Sequence, residues 1–253
     1  MTGIGRSLAL AVVSLVDRRM IWLMLWPVLV SLALWGTAGL LLWVKTAVWI
    51  ASGLDSLVQP LVVYIPFDYT GITLFTAHVV LMLMFVPLVY HTALLVLGVF
   101  GMQAMVDHVA ARYFPDLQRR QGGSIAGSVW NGVVALGGML GLFLITLPLL
   151  LVPPIWALAP VAVMGWVNQR LLRYDALSDH ASAGEMRELF VKRAGGLYAL
   201  GFVLALVAYV PVVGFFAPAL FALAFVHFAL AALRELRSAP IEGRVIESNS
   251  SPQ

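Results

Sequence analysis

The sequence predicts an all-α integral membrane protein: two long transmembrane helices followed by two duplicated helical hairpins. Three observations predict it. Residues 20–44, 69–106, 121–169 and 194–233 contain no Asp, Glu, Lys or Arg. About 20 apolar residues, rising 1.5 Å each, span a hydrocarbon core of about 30 Å, so the last two stretches are long enough for two passes each. The 253 residues are 62% hydrophobic and only 11% charged, where a soluble domain carries about 25% charged residues. Finally, fourteen of the fifteen Lys and Arg residues fall outside the segment between the first two spans, and only Lys45 falls within it. By the positive-inside rule the N-terminus, the later loops and the C-terminus face the cytoplasm.

Residues 1–19 read as a cytoplasmic amphipathic lead-in. The apolar run 8–16 is followed by Asp17, Arg18 and Arg19 with no small-residue cleavage site, which argues against a signal peptide. The first span is expected over 20–44, with Trp22 and Trp43 as interfacial anchors and a bend at Pro27. Residues 45–68 form the one external segment. It is apolar but broken by Asp55, Pro60 and Pro66, and it suggests a short interfacial helix. The second span, 69–112, is too long for a simple crossing. It should kink at Pro87 and extend past the membrane into the cytoplasm.

Two hairpins follow, at 124–173 and 186–237, and they match at an offset of 58 residues. Gly137 and Gly138 correspond to Gly195 and Gly196, Pro153 to Pro211, and Pro160 to Pro218. Such duplications frame the permeation route in many transporters. The turns expected at 147–160 and 210–218 carry no charge. Hairpins that enter from the cytoplasm and turn within the bilayer, or at its far edge, explain this. Backbone at that depth must be satisfied by protein or water, so both turns should be covered in a homo-oligomer or against a cavity. Residues 1–237 make one polytopic domain, and the polar residues 238–253 a disordered tail.

Candidate chemistry is sparse. Arg18 and Arg19 stand at the start of a helix, where two guanidiniums and free N–H groups suit a tetrahedral oxyanion. The alternative is a pair of anchors to lipid phosphate, and Asp17 beside them opposes an anion. His78 and His91 are intramembrane polar groups and candidates for proton coupling. Thirteen residues apart, they lie on different faces, which argues against a shared metal. Asp107, His108 and Arg112 have the spacing of a local salt-bridged helix end. Asp175, Asp179, His180 and Glu185 read as a solvated loop rather than a metal site, and 186–193 as an amphipathic lead-in to the second hairpin. Asn131, Thr146 and Asn168 read as packing residues, as do the glycine pairs. With no cysteine there are no disulfides or thiolate ligands. No nucleotide-binding, nucleophile-elbow or zinc-protease motif is present, so no enzyme, cofactor or metal is expected. The basic balance follows from topology and does not call for nucleic acid.

Several segments resemble the CysZ-like family, which is grouped with etoposide-induced protein 2.4. SLVDRRMIWLMLWPVLVSLALW (14–35) is similar to its opening, MQAMVDHVAARY (102–113) to the end of its second helix, and LLRYDAL (171–177) to its aromatic-Asp signature. EMRELFVKRAGGLYALGFVLALVAYVPVVGFFAPALFALAFVH (185–227) is similar to its second hairpin. The resemblance covers about 6–237. It implies a bacterial inner-membrane protein with two long transmembrane helices and two hemi-penetrating hairpins, assembled as an oligomer. It also implies sulfate uptake, with an anion site that maps onto Arg18 and Arg19. Val16 and Asp17 stand where that family has a Gly-containing pair. The alternative function is a non-transporting oligomeric scaffold that binds membrane lipids; a subunit of a membrane enzyme is a third.

Overall fold

The computed structural model describes residues 2–62, 70–153 and 155–238. These residues form helices α1 (Thr2–Leu15), α2 (Arg18–Val62), α3 (Thr70–Tyr113), α4 (Ile125–Thr146), α5 (Ile155–Leu177), α6 (Ala183–Lys192), α7 (Ala194–Val207) and α8 (Pro211–Ser238), with no strand among them. A 3-10 turn, Pro148–Leu151, follows α4. Helices α2, α3, α4 and α8 are each long and apolar enough to cross a membrane; α6 and α7 together supply a fifth such segment, bent by 74°. The chain is an all-α multi-pass membrane protein. It divides into two compact units, residues 13–105 and residues 1–12 with 106–253.

The unit of residues 13–105 is built on α2 and most of α3. At 45 and 44 residues these helices run for about 66 Å each, roughly twice the hydrocarbon thickness. Here the structure departs from expectation: α2 does not stop near Val44 to yield a separate interfacial helix, but continues through Lys45 to Val62. The charge pattern marks where lipid could end. It does not break a helix, and residues 45–59 contain no proline. Residues 63–69, including Pro66 and the start assigned to the second span, lie outside the described residues.

The two helices meet through side chains in antiparallel register. Trp35 Nε1 donates to Thr92 Oγ1 at 2.9 Å. Trp26 tilts against Phe100 at 6.2 Å between centroids, and Trp43 against His78 at 6.1 Å. That register brings Ala47 and Ala51 to the level of Ala77 and Thr73, all buried. Small residues let helix backbones approach where lipid supplies no hydrophobic drive to association. Helix α2 runs through Pro27 and α3 through Pro87. Ser31, fully buried, returns its hydroxyl to the Pro27 carbonyl at 2.7 Å.

In the other unit α8 is the core. Leu223, Ala224, Phe225, Val226, Leu230 and Leu233 are wholly inaccessible. Helix α4 is the opposite: it buries only Ala135 and faces outward over most of its length. It is held to α5 by four small or polar steps. Gly138 lies under the Trp166 ring, where a Cβ would come within 2.2 Å. Asn131 Nδ2 donates to the Arg170 carbonyl at 2.8 Å, and Ser128 Oγ to Asp175 Oδ1 at 2.5 Å. The Ser124 N–H donates to the Tyr174 hydroxyl at 3.2 Å. Helices α5 and α7 cross more tightly still: a Cβ on Gly201 would stand 2.4 Å from the Gly165 carbonyl oxygen. Helices α7 and α8 meet where the Phe228 ring covers Gly196.

The connections are shorter than the proline spacing suggested. Pro160 and Pro218 lie inside α5 and α8 instead of in turns. Pro160 is the sixth residue of α5 and Pro218 the eighth of α8, beyond the first four N–H groups that lack intrahelical partners, so each removes one backbone hydrogen bond and the helix runs on through it. The links are therefore 147–154 and 208–210.

A polar layer closes this unit. The N–H groups of Gln121, Gly122 and Gly123 donate to the carbonyls of Asp179, Ala181 and Ser178 at 2.8–3.0 Å. A Cβ at Gly122 would stand 2.4 Å from the backbone of Ser182 and Ala183, and one at Gly123 2.4 Å from Ser178 Cβ and 2.7 Å from its Cα. Ser182 and Glu185 form a reciprocal capping box at the start of α6. Arg237, near the end of α8, donates through Nε to Glu185 at 2.9 Å and through its terminal nitrogens to the carbonyls of Gln118 and His180. Arg120 reaches the same carboxylate at 2.8 Å. This pair is the well-shielded one, with Arg237 and Glu185 side chains 16% and 14% exposed. The pairs Arg119–Asp107, Arg234–Asp116, Lys192–Glu188 and Arg193–Glu235 are about half exposed and contribute little each. Two expectations are corrected here. Asp107 pairs with Arg119, twelve residues away, so the end of α3 is tied to the following loop. And Asp175, Asp179, His180 and Glu185 are not one solvated loop: Asp175 is in α5, His180 is 2% exposed, and Glu185 is the paired capping residue. The tail after Ser238 lies outside the described residues.

Two predictions follow from this packing. Gly201→Ala should destabilise most, by about 1–3 kcal/mol or more, since its Cβ meets backbone that has no rotamer to move. Gly138→Ala and Gly196→Ala should also destabilise. Gly137→Ala and Gly195→Ala, with nothing within 4 Å, should be neutral or slightly stabilising through helix propensity. Thermal unfolding of the purified variants in detergent checks the ranking. The second prediction concerns pH. The Arg237 hydrogen bond, opposed by burial and helped by the Ser182 N–H, lowers the Glu185 pKa from 4.5 to about 2. The apolar part of the bent α6–α7 pair is α7; Glu185 lies in the first turn of α6, whose ten residues carry four charges. The folded-state pKa is below the unfolded one, so this stabilisation is complete above about pH 4.5 and is lost as pH falls toward 2. Glu185→Gln should lower stability at pH 7 by about 1.5–3 kcal/mol and flatten its decline between pH 5 and 2, read from unfolding midpoints across pH.

Candidate functional site

Arg18 and Arg19 open α2. The chain leaves α1 at Leu15 and turns, with the Asp17 N–H donating to the Ser14 carbonyl at 3.1 Å. The Asp17 carbonyl accepts the Ile21 N–H, so Asp17 stands at the N-cap position. Its carboxylate accepts the Arg19 N–H at 2.9 Å. Both arginines are exposed, and neither has an ion-pair partner among the described residues. The result is a cationic helix start whose first-turn donor is already taken by an acid from the same chain.

His78 and His91 are each locked to the preceding turn of α3. Nδ1 of His78 lies 2.8 Å from the Leu74 carbonyl and Nδ1 of His91 2.7 Å from the Pro87 carbonyl. A carbonyl only accepts, so in both rings Nδ1 carries the proton and Nε2 is left as the acceptor. His78 sits beside Trp43, 25 residues along α2 from Arg18, or about 37 Å of helix. The structure does not bring this histidine to the arginine pair.

The duplicated residues show matching local geometry. The first glycine of each pair, Gly137 and Gly195, faces open space. The second, Gly138 and Gly196, lies beneath an aromatic ring from the second helix of its own hairpin, Trp166 and Phe228 respectively. Pro153 ends the first turn, and Pro211 begins α8.

The densest unsatisfied polarity lies elsewhere, on α5. Gln169 is fully buried, and neither its Nε2 nor its Oε1 has a partner. Nδ2 of Asn168 and Nε of both Arg170 and Arg173 are likewise buried without one. Each such group in a protein interior costs about 1–3 kcal/mol unless something meets it. Arg173 stacks on the Phe190 ring at 4.4 Å. Among the described residues neither Arg170 nor Arg173 has a carboxylate partner, while the adjacent Asp175 is engaged by Ser128. A groove of about 370 Å³ opens beside them between α5 and α7, lined by Ala162, Gly165, Trp166, Tyr198, Ala199 and Phe202. Sequence reasoning passed over this row because it comes directly after a charge-free stretch and reads as its polar boundary. The signal was present nonetheless: Gly165, Gln169 and Arg173 recur every four residues, which puts them on one helical face.

No curated protein and no solved structure matches the chain. The family described as Sulfate transporter CysZ/Etoposide-induced protein 2.4 matches residues 7–218, from α1 into α8. That span takes in every candidate residue described above, and the family is of transporter type. The multi-pass helical chain therefore belongs to the sulfate transporter CysZ/etoposide-induced protein 2.4 family.

Proposed function

We propose that this protein is a permease or channel for a tetrahedral oxyanion, sulfate foremost, in the bacterial inner membrane. The observation that carries the reading is the family match over residues 7–218, joined to a chain with at least four membrane-length helices. The one-sided distribution of Arg and Lys supports cytoplasmic termini. In this reading the chain works as a homo-oligomer, because apolar surface such as Leu40, Leu83 and Leu144 stands open along its helices and is shared between lipid and neighbouring copies. The ion moves down its gradient or with a proton carried by His78 or His91, whose Nε2 atoms are the available acceptors. Arg18 and Arg19 recruit the anion at the start of α2.

One observation favours the scaffold reading instead. Asp17 occupies the Arg19 N–H and sets a negative charge beside the two guanidiniums, which leaves them better suited to lipid headgroups than to a dianion. Sulfate uptake into proteoliposomes separates the two. A permease gives saturable uptake above protein-free liposomes; a scaffold gives none. Arg18→Ala/Arg19→Ala should reduce uptake several-fold while leaving insertion and assembly intact. Asp17→Gly, which frees the N–H and removes the acid, should increase sulfate affinity several-fold and cost the helix only a few tenths of a kcal/mol. Uptake unchanged in both variants would remove Arg18 and Arg19 from the route.

A further inference from the structure

We infer that α5 carries an oxyanion site formed by Gln169, Arg170 and Arg173, one helical turn beyond the residues that line the groove between α5 and α7. The ligand class is a tetrahedral oxyanion, either free sulfate or phosphate, or the phosphate of a lipid headgroup. The inference extends the transport reading by assigning anion binding to residues other than Arg18 and Arg19.

Three observations support it. The first is the contrast in pairing. Arg237, Arg120, Arg119, Arg193 and Arg234 in the same unit each hold a carboxylate. Arg170 and Arg173 hold none among the described residues, yet lie near enough to repel each other. Two half-buried guanidiniums kept side by side without an acid are balanced best by a bound anion. Nor does the neighbouring carboxylate serve, since Asp175 is turned to Ser128 on α4.

The second observation is Gln169. It is 0% exposed, with donor and acceptor both unmatched. On a helix Gln169, Arg170 and Arg173 fall within an arc of about 100°. Its amide N–H and the Nε–H groups of the arginines are thus unpartnered donors on one side of α5, the kind of group that holds a tetrahedral anion. The close crossing at Gly165 and Gly201 fixes this face against α7, since Gln169 Cβ lies within 3.3 Å of where a Gly201 Cβ would stand.

The third is access. The groove is lined by Trp166 and Gly165, one turn before Arg170 and Gln169, and by Tyr198 on α7. Its walls are mainly apolar, which suits either a dehydrated ion or an acyl chain attached to a phosphate.

The test uses the full chain in nanodiscs. In phosphatidylcholine discs, equilibrium binding of radiolabelled sulfate is measured for the wild type, Arg170→Gln/Arg173→Gln and Arg18→Ala/Arg19→Ala. In a second arm, discs containing phosphatidylglycerol are disassembled, and the lipid retained by the protein is counted by native mass spectrometry. The expected result is saturable sulfate binding that Arg170→Gln/Arg173→Gln weakens at least tenfold and Arg18→Ala/Arg19→Ala does not. If the wild type binds no sulfate but retains phosphatidylglycerol in a manner that depends on Arg170 and Arg173, the site stands with a headgroup as its ligand and the permease reading falls. Sulfate binding that persists unchanged in Arg170→Gln/Arg173→Gln, without Arg-dependent lipid retention, overturns the site and leaves the permease reading intact. Binding of neither probe overturns both. Should the glutamine variant fail to fold, Arg170→Lys/Arg173→Lys replaces it. That variant keeps the charge but loses the two-pronged fork, so the sulfate-induced rise in Tm over its own baseline should shrink at least threefold; an undiminished rise overturns the site.

Discussion

Gly201 has no room for a side chain. A single Cβ there would stand 2.4 Å from the Gly165 carbonyl oxygen, and this close approach of α5 and α7 is the constraint on which the larger unit depends. In lipid the usual reward for burying apolar side chains between helices is absent, so backbone proximity and its van der Waals contacts carry the association. The crossing sets the face that α5 turns to α7, and so where Gln169 and Arg173 stand. The aromatic rings above Gly138 and Gly196 then bring α4 and α8 to the same pair of helices.

Charge is treated in two ways within that unit. At its polar end, Arg119, Arg120, Arg193, Arg234 and Arg237 each meet a carboxylate, and Arg237 gathers three segments through one guanidinium. Such pairing is the ordinary way to keep partly buried charge in place, since an uncompensated charge in low dielectric is unfavourable by several kcal/mol. On α5, two arginines and a glutamine remain uncompensated. A site that is fully satisfied when empty gains little from a ligand, so unmet donors are what an anion site requires. Arg18 and Arg19 present the opposite situation: exposed and already beside Asp17. Groups of that kind draw an ion toward a membrane surface more readily than they hold one.

The extent of α2 and α3 shows where reasoning from charge and hydropathy reaches its limit. Lys45 interrupts a charge-free run, and the natural inference is that a helix ends near it. Helix formation depends on backbone dihedrals, not on charge, and residues 45–59 contain no proline, so α2 continues past Lys45 to Val62. The hairpin turns show the same limit in reverse. Pro160 and Pro218 look like turn residues, yet both lie inside helices because the breaks fall earlier, at 147–154 and 208–210.

The sequence by itself determined the fold class, the number and rough position of the apolar segments, the duplication of the glycine pairs and the family. All of these rest on composition and on periodicities local to one helix or repeated along the chain, which survive without knowledge of any contact. Only the tertiary structure decided which glycines are crowded, which acid each arginine meets, and which polar groups are left with nothing. Those questions concern pairs such as Gly165 with Gly201 and Glu185 with Arg237, distant in sequence and joined only when the helices pack. Arg170 and Arg18 look alike in the sequence, each an arginine at the edge of an apolar run. The difference between them, one exposed beside Asp17 and the other half-buried without a carboxylate, is a property of the space around each guanidinium.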